Sequence, residues 1–259
     1  MIEPTTAPPK PAPLRPLPFA ATILREALRT WAALLPRLLL LALLFTLPTI
    51  PFDFDDFGRA LVAKEPLTEL HHPWTIVVWL VASLILQGAA ALLIEQRRDG
   101  GVPSLRALAI PLLRALLPMV AAALVLLAVV LFWTLPGIVL GSRWPACTPL
   151  LLIALWPMVV FALAPAVVAV ERRPPLAALR RSFDLTRGAR SSLFLTFVAS
   201  FLAGTLLIVG IARLVEAAGA PPAVQFNVAL STILASDTFT AVLIATLYLA
   251  LRQRKEAPP

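Results

Sequence analysis

Six solid apolar runs dominate the chain, at residues 32–51, 74–94, 115–136, 149–170, 192–212 and 229–250. Each is close to the roughly 20 residues that an α-helix needs to cross about 30 Å of hydrocarbon. Of the 22 basic and 14 acidic residues, only Arg37 and Asp237 fall inside them. A helix of a soluble protein keeps a polar face, and these runs have none. Strands of a membrane barrel alternate apolar and polar positions, whereas stretches such as LLLLALLF (38–45) and VLLAVVLF (125–132) do not alternate. The pattern predicts an all-α polytopic membrane protein with six transmembrane helices.

The polar residues between the runs predict the topology. Seventeen Lys and Arg lie before the first run, in the second and fourth connections and after the sixth run, against four (Arg59, Lys64, Arg143, Arg213) on the other side. Basic residues collect in cytoplasmic loops, so both termini are expected in the cytoplasm. Arg37 lies near the basic end of its run and can snorkel there. The first residues are rich in proline, and a disordered tail is expected over 1–17. A six-helix membrane domain follows over 18–253, then a short cytoplasmic tail over 254–259. The late start and full length of the first run argue against a cleaved signal peptide.

Basic, half-apolar stretches precede the first, third and fifth runs, at 18–36, 103–118 and 174–193. The first two share Leu-Arg followed by Leu-Leu-Pro, at Leu24-Arg25 to Leu34-Leu35-Pro36 and Leu105-Arg106 to Leu116-Leu117-Pro118. Three repeated units are expected, each a basic interfacial helix followed by a membrane hairpin; the alternative is an accidental match. The third stretch is the clearest. Pro174-Pro175 suits a helix start and Gly188 a left-handed stop. Leu176, Leu179 and Phe183 share one apolar face, and Arg180 and Asp184 are spaced to pair. Arg180, Arg181, Arg187 and Arg190 are the candidate lipid- or partner-binding residues, each basic residue near an anionic leaflet contributing about 1 kcal/mol of attraction. The plainer reading is that these arginines only enforce topology.

Composition narrows the setting. Charged residues make up 14% of the chain, against roughly 25% in soluble domains. The formal net charge of +8 follows the topology and is not a nucleic-acid footprint, so no nucleic-acid partner is expected. The single cysteine, Cys147, excludes a disulfide framework. Nineteen of the 22 basic residues are arginine, which together with abundant Ala, Leu and Pro points to a GC-rich bacterium and its cytoplasmic (inner) membrane. Trp31, Trp74 and Trp144 sit at run ends, where an aromatic belt is expected. Trp79, Trp133 and Trp156 lie further in and are expected to pack between helices.

The stretch PAVVAVERRPPLAALRRSFDLTRG (165–188) resembles the signature of bacterial six-helix membrane proteins that include the YciC-like proteins and the membrane domain attached to some glycerophosphoryl diester phosphodiesterases. The matching positions are Pro165, Ala166, Val167, Glu171, Leu176, Ala178, Leu179, Arg180, Arg181, Ser182, Leu185, Thr186 and Gly188. Pro136-Gly137-Ile138 is similar to that family's break after the third helix. The tail LYLALRQRKE (247–256) resembles its closing Leu-Tyr-x-x-Leu-Arg, with Ala250 where an acidic residue is common. The resemblance implies architecture and no phosphodiesterase activity, since the catalytic domain of those fusions is a separate soluble barrel.

The catalytic inventory is thin. HExxH, GxSxG, a P-loop and GxGxxG are all absent, and no cofactor or metal is expected. His71 and His72 with Asp53, Asp55 and Asp56 are weighed as a cation site against an amphipathic segment at the outer interface. Cys147 reads as a packing residue. Asp237 is the candidate intramembrane polar site, some 14–15 residues from Arg252, or roughly 21–22 Å along a helix. A carboxyl at mid-membrane costs roughly 2.5–3.5 kcal/mol to insert, which calls for a partner such as Arg213 or a wet cavity. Pro157 and Pro165 break the fourth run, and broken helices line some transporter sites. Ser200 and Gly204 form a small-residue pair suited to close helix packing, compatible with dimerisation.

The leading expectation is a non-enzymatic membrane protein of membrane or envelope homeostasis. It engages anionic lipid, or a partner membrane protein or second copy, through its basic interfacial helices. The alternative is a transporter or permease component using Asp237 and the broken fourth helix.

Overall fold

The computed structural model describes residues 16–46, 74–101, 104–143 and 155–256. Among them every regular element is an α-helix. In chain order these are α1 (Pro16–Thr46), α2 (Trp74–Arg98), α3 (Leu105–Arg143), α4 (Leu155–Phe161), α5 (Ala164–Glu171), α6 (Pro175–Thr186), α7 (Arg190–Ala217) and α8 (Pro222–Glu256). Four segments are long and apolar enough to cross a membrane: Leu17–Phe45, Leu105–Val129, Arg190–Ala217 and Ala223–Glu256. The chain is a helical membrane protein on that ground.

The second apolar run, α2, is the axis of the packing and touches α1, α3, α5 and α8. Ala89, Ala90 and Ala91 are fully buried, because small side chains on successive faces let neighbours approach from every direction. The closest approach is at Gly88, where a Cβ would stand 2.2 Å from Met119 Cε of α3 and 3.1 Å from Ala169 Cβ of α5. The second half of α8 is equally enclosed, with Ala241 to Leu249 all buried. By contrast α7 lies at the edge, and its Phe201, Leu206 and Leu214 are more than two-thirds exposed. In a bilayer that face meets acyl chains.

Several expectations change. The basic stretch 18–36 and the described part of the second, 104–118, are not separate helices. They are the first turns of α1 and α3, which run on without interruption for 31 and 39 residues. At 1.5 Å per residue these helices reach about 46 and 58 Å, well beyond the hydrocarbon. Pro36 is accommodated inside α1, and nothing at either junction forces a left-handed residue. Only the third stretch is set off as its own helix, α6, since Pro174 starts it in an extended conformation and Gly188 (φ 88°) turns the chain before α7. The threefold repeat therefore does not extend to a separate interfacial helix in each unit. α3 also continues through Pro136-Gly137 to Arg143, so the expected break there is absent.

The fourth run does break. A turn at 162–163 separates α4 from α5, with Pro165 in the first turn of α5. The break leaves helix-end carbonyls without intrahelical donors, and the buried Ser182 of α6 meets one of them: its Oγ donates to Val160 O at 2.8 Å.

Trp31 is not a belt residue. It is half-buried and donates Nε1–H to Thr238 Oγ1 of α8 at 3.0 Å, its ring edge-on to Phe239. Trp156 shows the reverse error, being about half exposed. Gly204 packs within the chain, where a Cβ would come 3.3 Å from Ser236 Oγ, so its small side serves the α7–α8 crossing. Residues 1–15, the loop carrying Asp53, Asp55, Asp56, His71 and His72, Cys147 and Trp144 lie outside the described residues, as do the side chains of Trp74, Trp79 and Trp133.

Candidate functional site: a polar ring at the basic end of the bundle

The end of the bundle that carries the basic segments also gathers Glu26, Glu95, Glu171 and Glu256. Glu171 closes α5, and the next residue, Arg172, is a left-handed cap (φ 53°). That conformation is costly for a residue with a Cβ and is normally filled by glycine. It turns the chain sharply into Pro174 and α6, with Glu171 on the inside of the elbow.

Three donors converge on the Glu171 carboxylate. Arg173 Nε donates to Oε2 at 2.7 Å, while Arg181 Nε and the Tyr248 hydroxyl donate to Oε1, each at 3.2 Å. The chain of contacts then closes on itself. Arg181 Nη2 reaches Glu256 Oε1 at 2.5 Å, and Glu256 Oε2 accepts from Arg252 Nε at 3.1 Å. Arg252 Nη1 returns to the Tyr248 oxygen at 3.4 Å and also meets Glu95 Oε1 at 3.2 Å. Five residues make the ring (Tyr248, Glu171, Arg181, Glu256 and Arg252), and Glu95 ties it to α2. Lys255 Nζ adds a contact to the Asp184 carbonyl of α6.

Burial grades the ring. Tyr248 is fully enclosed, and the Glu171 side chain is 10% exposed. Glu256 at the rim is 48% exposed. Inside such a low-dielectric site charge-assisted hydrogen bonds are strong, and an unpaired member is costly. Glu95 lies just past the second apolar run. Burial pushes its carboxyl above the ordinary value, a rise that the neighbouring Arg252 guanidinium opposes without cancelling. The ring binds α2, α5, α6 and α8 into one end-plate. Nearby, Arg98 Nη2 pairs with Glu26 Oε1 at 3.2 Å and adds α1.

The four candidate arginines divide into three kinds. Arg181 is consumed by the ring. Arg180 and Arg187 are exposed, and no carboxylate pairs with either among the described residues; the expected Arg180–Asp184 pair is not made. Arg190, the first residue of α7, is partly enclosed, with its Cζ 4.4 Å from the Phe183 ring centroid and 5.4 Å from that of Trp156.

The structure splits the expected apolar face of Leu176, Leu179 and Phe183 on α6. Its buried side is Ala178, Leu179, Ser182, Leu185 and Thr186, and Leu176 and Phe183 face outward. Leu176, Arg180, Phe183 and Arg187 therefore form one exposed stripe, at i, i+4, i+7 and i+11.

Asp237 lies half-buried in α8. Its expected partner Arg213 pairs with Glu216 one turn on, at 3.1 Å, where both are well exposed. Among the described residues no three His, Cys, Asp or Glu side chains stand together as a metal site.

Of the ring only Arg181 was anticipated as a site residue; Glu95, Glu171, Tyr248, Arg252 and Glu256 were not. A signal was present, since Tyr248, Arg252 and Glu256 recur at four-residue intervals and Tyr248 is the only tyrosine in the chain. The model of a protein family described as a domain of unknown function, DUF7847, matches residues 136–252. That match is less than half of the chain and takes in Glu171, Arg181, Tyr248 and Arg252. No curated protein and no solved structure matches the chain.

Proposed function

We propose that this is a non-enzymatic, six-span protein of a bacterial inner membrane, with both termini cytoplasmic, that works in membrane or envelope homeostasis by engaging anionic lipid through α6. One observation carries the reading: the exposed stripe Leu176–Arg180–Phe183–Arg187. Apolar side chains alternating with arginines on one outward line suit the boundary between acyl chains and headgroups. Arg181, on the inner side of the same helix, is neutralised by carboxylates, so the helix is anchored inward and cationic outward. The gathering of basic segments at one end supports the topology, and the length and apolarity of α2 and of the fourth run support six spans rather than four.

The test is native mass spectrometry of protein released from nanodiscs of mixed phosphatidylglycerol and phosphatidylcholine. Wild type should carry an excess of phosphatidylglycerol that Arg180→Gln with Arg187→Gln removes. Arg181→Gln should keep the excess and lower stability. Equal lipid ratios in wild type and the double variant would overturn the reading.

A further inference from the structure

Arg190 is the one candidate arginine that is partly enclosed and has no counter-ion among the described residues. Its Nε and Nη2 are enclosed and donate to no partner among the described residues. The aromatic rings of Phe183 and Trp156 hold the guanidinium, and rings stabilise a cation without satisfying its N–H groups. Buried cations in proteins are ordinarily paired and hydrogen-bonded, so this arrangement is incomplete in the isolated chain.

The start of α7 lacks acceptors as well. The backbone ladder of α7 begins with Leu193 N–H bonding to Ala189 O at 2.9 Å, and no side chain caps the helix. The N–H groups of Arg190, Ser191 and Ser192 are thus left for another acceptor, as at any uncapped helix start. Ser192, 1% exposed, also has an Oγ with no partner. Guanidinium and free amides are donors that call for an oxyanion, and the 28-residue α7 has its positive dipole end at this first turn.

We propose that Arg190 and the first turn of α7 form a discrete site for one phosphate group, supplied by the headgroup of an anionic phospholipid or by free phosphate. The inference rests on the reading that this end of the bundle lies at headgroup level, but it concerns a single, stoichiometric ligand. The stripe on α6 would instead attract many lipids weakly. Phe183 joins the two, since it belongs to the stripe and stacks on Arg190.

The experiment uses the full chain in the same mixed nanodiscs, followed by native mass spectrometry under rising collisional activation. Wild type should retain one phosphatidylglycerol after the rest are stripped. Arg190→Gln should weaken that retention by about tenfold or more, the loss of one charge-assisted contact. Arg180→Gln with Arg187→Gln should leave it in place, so the bulk lipid excess and the single adduct fail separately. Arg190→Lys keeps the charge but loses the planar fork, and should retain less than wild type. Inorganic phosphate added to lipid-free protein in detergent separates the sources. A rise in the melting midpoint that Arg190→Gln abolishes assigns the site to free phosphate as well; no rise, with the lipid adduct intact, assigns it to the headgroup alone. Without ligand, Arg190→Gln should be at least as stable as wild type, because it removes an uncompensated cation. Unaltered retention in Arg190→Gln, or a ligand-free protein that unfolds without Arg190, would overturn the proposal in favour of a purely structural stack.

Discussion

Tyr248 and Glu171, 77 positions apart, meet at 3.2 Å with the phenol donating to the carboxylate. The contact joins the end of the broken fourth run to the last helix, and through Arg252 and Arg181 it closes the ring. Replacing Tyr248 by Phe keeps the buried aromatic volume and deletes only the hydroxyl. A loss of about 1 kcal/mol is expected. Glu171→Ala should cost more, about 2 kcal/mol or above, because it removes the one enclosed acceptor shared by Arg173, Arg181 and the buried Tyr248 hydroxyl. Denaturant unfolding in micelles, with both variants beside wild type, checks the order.

Gly88 tests the close packing of α2. A Cβ there meets Met119 Cε and Ala169 Cβ, so Gly88→Val should destabilise by about 1–3 kcal/mol through overpacking. Met119→Ala in the same chain removes the nearer obstacle. The double variant should recover part of the loss in thermal melts, a non-additivity that independent sites would not show.

Trp31 and Thr238 should also be coupled. Trp31→Phe and Thr238→Val each remove the bond between α1 and α8 and should cost about 1 kcal/mol apiece. The double variant should lose less than the sum of the two, as a thermodynamic cycle would measure.

Two left-handed residues flank α6, and substitution should act on them in opposite directions. Arg172 (φ 53°) carries a Cβ in a conformation that favours glycine, so Arg172→Gly should stabilise by about 1 kcal/mol. Gly188 (φ 88°) has open space around it, so Gly188→Ala should destabilise by about the same amount through the backbone alone. Melting midpoints moving apart would support this; a shared direction would contradict it.

Glu95 should impose a pH dependence. Its folded-state carboxyl holds a proton more tightly than in the unfolded chain. Its contribution is therefore fully present below the ordinary value of 4.5 and is lost as the pH rises through the elevated value. Glu95→Gln should flatten the stability profile across that window, read as the difference in melting midpoint between the two proteins at each pH.

The local rules of the chain determined more than its membrane character. Apolar runs too long and too uniform for a soluble helix specify spanning segments, because hydrocarbon tolerates no unpaired backbone. The grouping of basic residues was equally legible, and so were the ends of α6, where Pro174-Pro175 and Gly188 act through their own backbone preferences. The exposed stripe was half legible: periodicity put Leu176, Leu179 and Phe183 on one face, but told neither which side faced the bundle nor that Leu179 would be buried against it.

Only tertiary packing decided that side, since Ala178, Ser182 and Leu185 fit against closely packed neighbours and Leu176 does not need to. Packing likewise decided which arginines are spent on carboxylates. Arg180 and Arg181 are neighbours with the same chemistry, and one faces outward while the other joins Glu171 and Glu256. A pairing across 75 positions leaves no periodic trace along the chain. It depends on where the ends of four helices come to rest, and that follows from the summed contacts of the whole bundle.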